Sequence, residues 1–398
     1  MSLRAGRPAL RLKPKAERRL LHGHPWVFSN EVEMTAEAKA LDLGTLVTLE
    51  ANDGRALGVA SFNRHTLIAA RLLARDPAME IDGAFFHERL KRALTLRERL
   101  IEGPYYRLCH AEADGLPGLV IDRFGDTVVM QLNTAGTQAL EAPLIEAVET
   151  LLSPATLVLR NDTPARKLEG LEQETRLLSG NIEGTLEVQE HGVRFLADPL
   201  RGQKTGWFYD QRDNRQWATR LAGGARVLDA YSYSGGFAVR AALAGAESVL
   251  AIDRSEAALD LVERTAVLNA VGASVATRRG DVFRELERLA AAGERFDLVI
   301  CDPPAFAKSK KDLPPALRGY RKLARLAAGL VAPNGCLVLC SCSHHVTSDA
   351  FAEQCARGLV DAQRAARILH RAGAAPDHPV HPQLPESDYL KSLVYALD

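Results

Sequence analysis

Ala225-Arg226-Val227-Leu228-Asp229-Ala230-Tyr231-Ser232-Tyr233-Ser234-Gly235-Gly236-Phe237 decides the fold. An apolar run ends at an acid, a short polar turn follows, and two glycines open a helical segment. Glycines there let backbone approach a ligand closely. The pattern then repeats along the chain. Ser248-Val249-Leu250-Ala251-Ile252-Asp253 precedes a helical segment near 255–271, and Ser274-Val275-Ala276-Thr277 precedes Gly280-Asp281-Val282-Phe283. Phe296-Asp297-Leu298-Val299-Ile300 leads to Asp302-Pro303-Pro304-Ala305-Phe306; a helix near 315–331 leads to Gly335-Cys336-Leu337-Val338-Leu339-Cys340. Buried strands alternating with amphipathic helices predict βαβ units and a parallel sheet covered on both faces. Ligands of such sheets bind beyond the carboxyl ends of the strands, so the chemistry belongs just after each strand.

Upstream the pattern changes. Residues 76–185 mix a helix over Phe85 to Ile101, with apolar residues at helical spacing, with strands at Leu119-Val120-Ile121 and Val128-Val129-Met130. Residues 1–75 read as short strands: Leu46–Leu49 and Leu57–Phe62 flank Asn52-Asp53-Gly54, a hairpin signal, so this block predicts a small β-barrel. The third block is 186–398. The whole chain of 398 residues suits two to three domains at roughly 150 residues each. A hydrophobic share of 46% and a charged share of 25% exclude a disordered or collagen-like chain. No run approaches the ~18 uninterrupted apolar residues of a membrane helix, and Met1–Arg7 lacks the apolar centre of a signal peptide. Six cysteines in such a length fit a reduced cytoplasm.

The strand ends carry four acids in order: Asp229, Asp253, Asp281 and Asp302. Each alone can be a turn former or helix cap. Together they outline a site for an adenosine-containing cofactor. Asp253 stands about 20 residues beyond the glycine turn, placed to accept from ribose hydroxyls. Asp281 with Val282 suits an adenine amino group and ring. The two prolines after Asp302 stiffen its turn beside a planar base. The glycine-x-glycine-x-x-glycine pattern of dinucleotide sites is absent, which disfavours a nicotinamide oxidoreductase and points to S-adenosylmethionine. The candidate cofactor residues are Asp229, Tyr231, Ser232, Gly235, Gly236, Phe237, Asp253, Asp281, Val282, Asp302 and Pro303.

The fifth strand ends Cys340-Ser341-Cys342-Ser343-His344-His345. Cys340 and Cys342 face one side of a strand. With Cys336 their spacing does not match zinc knuckles, and no metal is expected. Cys342 stands where a nucleophile would. Carbon 5 of cytosine is too weak a nucleophile to attack a methyl sulfonium unaided. Thiolate addition at carbon 6 activates it, and a carboxyl at Asp302 would stabilise the charge change. Methylation of a ring or amino nitrogen would not need Cys342.

The formal net charge is zero, but it is unevenly spread. Residues 1–30 carry Arg4, Arg7, Arg11, Lys13, Lys15, Arg18 and Arg19 against Glu17, a local charge of +6. Residues 308–325 carry Lys308, Lys310, Lys311, Arg318, Arg321, Lys322 and Arg325 against Asp312, again +6. Local clusters set the potential a phosphate backbone meets. Arg11, Lys13, Lys15, Arg18, Arg19, Lys308, Lys310 and Lys311 are the candidate RNA-binding residues.

The chain resembles the 23S ribosomal RNA cytosine-5 methyltransferases with an N-terminal PUA domain. The resemblance rests on His22-Gly23-His24-Pro25-Trp26-Val27-Phe28, on Ala111–Gly118, on Lys204-Thr205-Gly206-Trp207-Phe208-Tyr209-Asp210-Gln211-Arg212, and on Ser232–Phe237. Asp302–Phe306, Ser341-Cys342-Ser343 and Asp377-His378-Pro379 complete it. It implies a PUA barrel (1–75), a small central α/β domain (76–185) and a Rossmann-like class I methyltransferase domain (186–398). It further implies S-adenosylmethionine as cofactor, Gln211 and Asp229 near its methionine end, Cys342 as nucleophile, and ribosomal RNA as partner. The class also admits a homodimer. Ala305 replaces the lysine of many relatives and the second cysteine of other RNA cytosine-5 methyltransferases, so neither group assists here. The competing readings are a guanine-N7 or other nitrogen methyltransferase, and a non-catalytic RNA-binding assembly factor.

Overall fold

The computed structural model describes residues 6–398, which leaves Arg4 of the N-terminal cluster outside the described residues. The chain divides into two compact units. One holds the chain up to Gly184 with Asp198–Trp207 and Pro376–Pro385; the other holds Thr185–Ala197, Phe208–Ala375 and Glu386–Asp398. Among the described residues no helix is long and apolar enough to cross a membrane.

In the first unit, β1 (Ala9–Arg11), β2 (Trp26–Phe28), β3 (Leu46–Glu50), β4 (Ala56–Phe62) and β5 (Ile68–Ala74) form a sheet in the order β1-β3-β4-β5-β2. The predicted hairpin is present: β3 and β4 pair antiparallel, and Gly54 takes the left-handed φ of +84° between them. Leu10, Leu12, Val47, Leu49 and Phe62 bury together, with the short helices α1 (Glu17–Leu21) and α2 (Ala36–Ala40) in the connections. A second sheet runs β10-β9-β8-β7-β6, built from β6 (Tyr105–His110), β7 (Leu119–Phe124), β8 (Thr127–Leu132), β9 (Thr156–Asn161) and β10 (Glu174–Ser179). Its helices are α3 (Gly83–Leu100), α4 (Ala135–Ala139), α5 (Glu141–Leu152) and α6 (Pro164–Leu168). Asp82 starts α3 by accepting the Phe85 amide at 2.9 Å. Phe86, Leu90 and Ala93, one face of that helix, join Leu108, Ile121 and Met130 in one core.

The second unit opens with the hairpin β11 (Leu186–Glu190) and β12 (Val193–Ala197), followed by α7 (Arg212–Ala218). Its sheet has seven strands: β13 (Arg226–Ala230), β14 (Ser248–Asp253), β15 (Val275–Arg279), β16 (Phe296–Cys301), β17 (Val331–Ser341), β18 (Ala366–Ala372) and β19 (Lys391–Leu397). They run in the order β15-β14-β13-β16-β17-β19-β18, parallel through β17 and antiparallel where β19 enters between β17 and β18. Strand alternation splits the core. Val227 packs with Ala238 and Leu259 of α8 (Gly236–Leu243) and α9 (Glu256–Leu268); Leu228 packs on the other face. That second face is covered by α10 (Val282–Ala291), α11 (Leu313–Leu330) and α12 (Ser348–Asp361). Sequence reading treats 280–283 only as a strand end. In the fold Val282, Leu286 and Leu289, at i, i+4 and i+7, bury one face of α10. The chain turns back on itself at β13, between β14 and β16, which places a crevice at the carboxyl ends of these strands.

Candidate active site

Beyond β13 the backbone takes an uncommon path. Tyr231 and Tyr233 adopt φ of +65° and +47°, and Gly235 adopts +82°. Such conformations are costly for side chains larger than glycine and persist only where surroundings enforce them. Here the enforcement comes from hydrogen bonds. The Ser232 amide donates to the Ile252 carbonyl (3.0 Å), the Tyr233 amide to Asp253 Oδ2 (2.9 Å), and the Gly235 amide to the Ser232 carbonyl (2.9 Å). A Cβ on Gly235 would stand 3.0 Å from both Val262 methyls, so the helix packs closely there.

Asp229 is wholly buried. Its Oδ2 accepts the Ala238 amide at 2.9 Å, while its Oδ1 is buried without a partner. Burial pushes its carboxyl up to about 8; Asp302 and Asp253 push the same way and the Ala238 amide opposes them. Ser232 Oγ and Ser234 Oγ are likewise buried without partners, three orphaned oxygens within six residues. Buried polar atoms are ordinarily paired, so this concentration is a candidate ligand position. Gly236 and Phe237 begin α8, with Phe237 in the core. Gln211 ends a short turn and accepts from Asn214 Nδ2 at 2.6 Å.

The remaining acids differ among themselves. Asp253 receives two amides, Tyr233 on Oδ2 and Ser255 on Oδ1, both at 2.9 Å. A carboxylate offers about four acceptor sites, so two remain for hydroxyl donors. Asp281 caps α10 by accepting the Arg284 amide at 3.3 Å, and Val282 beside it is buried in the core. Asp302 follows β16, its amide donating to the Ala230 carbonyl at 3.3 Å.

Cys342 stands against this last turn: its Sγ lies 3.8 Å from the Pro303 carbonyl, and it is half-buried. Its neighbours fix it. Ser341 and Ser343 are fully buried and both bond the hydroxyl of Tyr320 on α11 at 2.8 Å. Ser343 Oγ also accepts the Ala307 amide at 3.3 Å, which ties the two turns together. Serines flanking a residue on one side of an extended chain direct that residue to the other. The remaining thiols are a different population. Cys109, Cys301, Cys340 and Cys355 are buried and Cys336 is half-buried, and burial raises each of these thiols.

Sequence reading missed Tyr320 and Lys391. Neither lies in a motif, and each reaches the site only through α11 and β19 packing beside β17. It also left the segments Ala111–Gly118 and Asp377–Pro379 without a function, and expected Lys204–Arg212 to help close the cofactor pocket. In the first unit Asp114, Asp377 and Thr205 from these segments share one buried ion network. Arg97 holds Asp114 through two bonds of 2.6 and 2.7 Å and donates to the Asp377 carbonyl at 3.0 Å. Arg107 holds Asp122, which also accepts from Thr205, while Asp377 receives the Arg107 amide and His378 Nδ1.

The basic residues are surface groups of unequal freedom. Lys15, Arg18, Lys308, Lys310 and Lys311 are exposed. Arg11 reaches Glu50 at 3.5 Å and Lys13 donates to the Asn30 carbonyl at 2.9 Å. Arg19 is bound to Glu31 at 2.6 Å and lies over the Phe28 ring.

Residues 10–75 match a PUA-like domain family, and residues 167–395 match the S-adenosylmethionine-dependent methyltransferases. The ribosomal RNA large subunit methyltransferase I of Aeromonas salmonicida is 39% identical over 383 residues, covering 95% of this chain and 96% of that one. The protein of the same name from Escherichia coli O157:H7 is 39% identical over 380 residues, covering 94% and 96%. The chain belongs to the ribosomal RNA large subunit methyltransferase I family. Among solved structures, a Streptococcus mutans protein assigned as a SAM-dependent methyltransferase superposes with a TM-score of 0.82 at 21% identity, covering 98% of this chain and all of that one. A second, a methyltransferase complexed with S-adenosylhomocysteine, gives 0.84 at 21% identity with the same coverage. This family member uses S-adenosylmethionine as its methyl donor. The residues present suit it: an unpartnered carboxylate oxygen and two unpartnered hydroxyls for its charged methionine end, and a carboxylate with spare acceptor sites for its ribose.

Proposed function

We propose that the protein methylates carbon 5 of a cytosine in large-subunit (23S) ribosomal RNA, in the cytoplasm, through a covalent adduct at Cys342. Its relatives are large-subunit ribosomal RNA methyltransferases, and the observation that carries the finer reading is the thiol itself. Cys342 Sγ lies 3.8 Å from the Pro303 carbonyl, one residue from Asp302, at the carboxyl ends of β16 and β17. A nitrogen methyltransferase has no use for a nucleophile there.

The chain's residues divide the work. Asp229 and Ser232 bind the methionine end of the donor with Gln211 nearby, Asp253 its ribose, and Asp281 with Val282 its adenine. Tyr231, Gly235, Gly236 and Phe237 shape that wall. Bound S-adenosylmethionine supplies an electrophilic methyl group. Cys342 forms a bond from Sγ to carbon 6 of the cytosine, which makes carbon 5 an enamine carbon able to take the methyl group. Asp302 and Pro303 hold the base edge and offset the charge change at N3 during addition. Loss of the carbon 5 proton to a base and departure of the thiolate from carbon 6 restore the aromatic ring. The PUA-like sheet and the exposed lysines of 308–311 hold RNA phosphates.

The test is nucleoside mass mapping of large-subunit ribosomal RNA from cells that lack the protein, complemented with wild type or Cys342→Ala. One 5-methylcytidine disappears on deletion, returns with wild type and stays absent with Cys342→Ala. A full set of 5-methylcytidines in the deletion strain overturns the reading; restoration by Cys342→Ala overturns the covalent mechanism.

A further inference from the structure

Lys391 begins β19 directly across from Ser341, the last residue of β17. It is 95% buried, in a strand otherwise apolar apart from Ser392. A buried ammonium is costly unless it is hydrogen-bonded, so the fold has a reason to keep it. Its Nζ donates to the Ser343 carbonyl at 3.0 Å and to the Tyr389 carbonyl at 2.9 Å. One of these acceptors belongs to the residue immediately after Cys342. An ammonium has three donors, and these bonds use two.

The groups around Cys342 come from four elements. Asp302 lies in the turn after β16, Tyr320 on α11, His344 and His345 in the loop after β17, and Asp388 in the segment entering β19. His344 is committed to the Glu386 carbonyl at 3.0 Å and stacks on Tyr389. Burial raises the Tyr320 hydroxyl, which stays neutral. Asp302 disfavours a second anion beside it. Lys391 is a cation facing them, with Arg215 also acting on Asp302: burial draws Lys391 down, while Asp388 and Cys342 draw it back up. Attraction between an ammonium and a thiolate acts on both, so what holds the proton on Lys391 also removes it from Cys342.

We propose that Lys391 is the positioning residue for Cys342: its ammonium clamps the backbone after the thiol and supplies the positive charge beside which the thiol gives its proton to solvent. The inference deepens the covalent reading of Cys342 and rests on it, but its test requires neither RNA nor methyl transfer. A failure here is therefore distinct from a failure of that reading.

The full chain is alkylated with iodoacetamide between pH 6 and 10, and modification of the Cys342 peptide is followed by mass spectrometry. In wild type the rate midpoint falls below the ordinary thiol value of about 8.5. Lys391→Met moves it up by about one unit, and the rate at pH 7 drops about tenfold. Lys391→Arg, which keeps the charge, returns at least half of that shift. Calorimetry with S-adenosylmethionine checks that each variant is folded. A wild-type midpoint at or above 8.5 overturns the proposal, even if Lys391→Met does not fold. So does a cofactor-binding Lys391→Met protein whose midpoint has not moved, or a Lys391→Arg protein that behaves like Lys391→Met.

Discussion

Asp229 is a carboxyl group held away from water with one oxygen spent on the Ala238 amide and the other on nothing. Its value of about 8 in the folded chain exceeds the unfolded value of about 3.9. The folded state thus binds the proton more tightly. Stability from this group is present below about pH 4 and declines as pH rises toward 8. A cationic ligand reverses the preference, because an ammonium beside Oδ1 favours the ionised form. S-adenosylmethionine binding is therefore expected to release a proton in the range where its own ammonium stays charged. Affinity measured by calorimetry should strengthen from pH 5.5 to 7.5, by up to about tenfold per unit. Asp229→Asn should bind weakly and show a flat profile.

At the scale of elements, α3 and the β6–β7 connection are joined by one buried ion pair. Arg97 is wholly buried, and Asp114 also accepts the His110 amide at 2.6 Å. Removing one partner of such a pair leaves a charge with no compensation, a loss of about 3–5 kcal/mol. Asp114→Ala should therefore lower the unfolding free energy of the first unit, read from its urea transition, by that amount, with S-adenosylmethionine binding as an independent readout of the second unit. The strands β13, β14 and β16 announce themselves as apolar runs that lead to Asp229, Asp253 and Asp302, and β17 as one that leads to Cys342. The hairpin at Asn52-Asp53-Gly54 is local chemistry, so it too is legible. Lys391 is not. A single lysine ahead of Ser392-Leu393-Val394-Tyr395 carries no motif; its meaning depends on β19 inserting antiparallel next to β17, a pairing some fifty residues apart in sequence. Tyr320 is opaque for the same reason: its place on α11 suggests core packing, and only the fold joins it to Ser341 and Ser343. The orphaned oxygens of Ser232 and Ser234 depend on positive φ at two tyrosines, which no propensity foretells.

At the scale of the whole molecule, zero net charge conceals two basic segments, and their side chains are not equally available. Arg19 is held by Glu31 and Phe28, whereas Lys308, Lys310 and Lys311 stand exposed on the second unit. Replacing those three lysines with glutamine should weaken binding to a large-subunit ribosomal RNA fragment and reduce the slope of log affinity against log salt by about two to three. Affinity for S-adenosylmethionine should not change. Equal RNA affinity at moderate salt would remove this cluster from the interface.

The first unit borrows two short stretches from far along the chain, Asp198–Trp207 and Pro376–Pro385. Both arrive with obligations: Arg160 donates to the Gly202 carbonyl at 2.9 Å, and buried Asp377 takes the Arg107 amide at 3.0 Å. Neither unit thus corresponds to one uninterrupted length of gene. A recombination event between codons 184 and 185 would hand a new host two strips of chain shaped for partners left behind. The PUA-like portion and the methyltransferase portion are in that sense inherited together, as a single text whose last paragraph completes a sentence begun in its first.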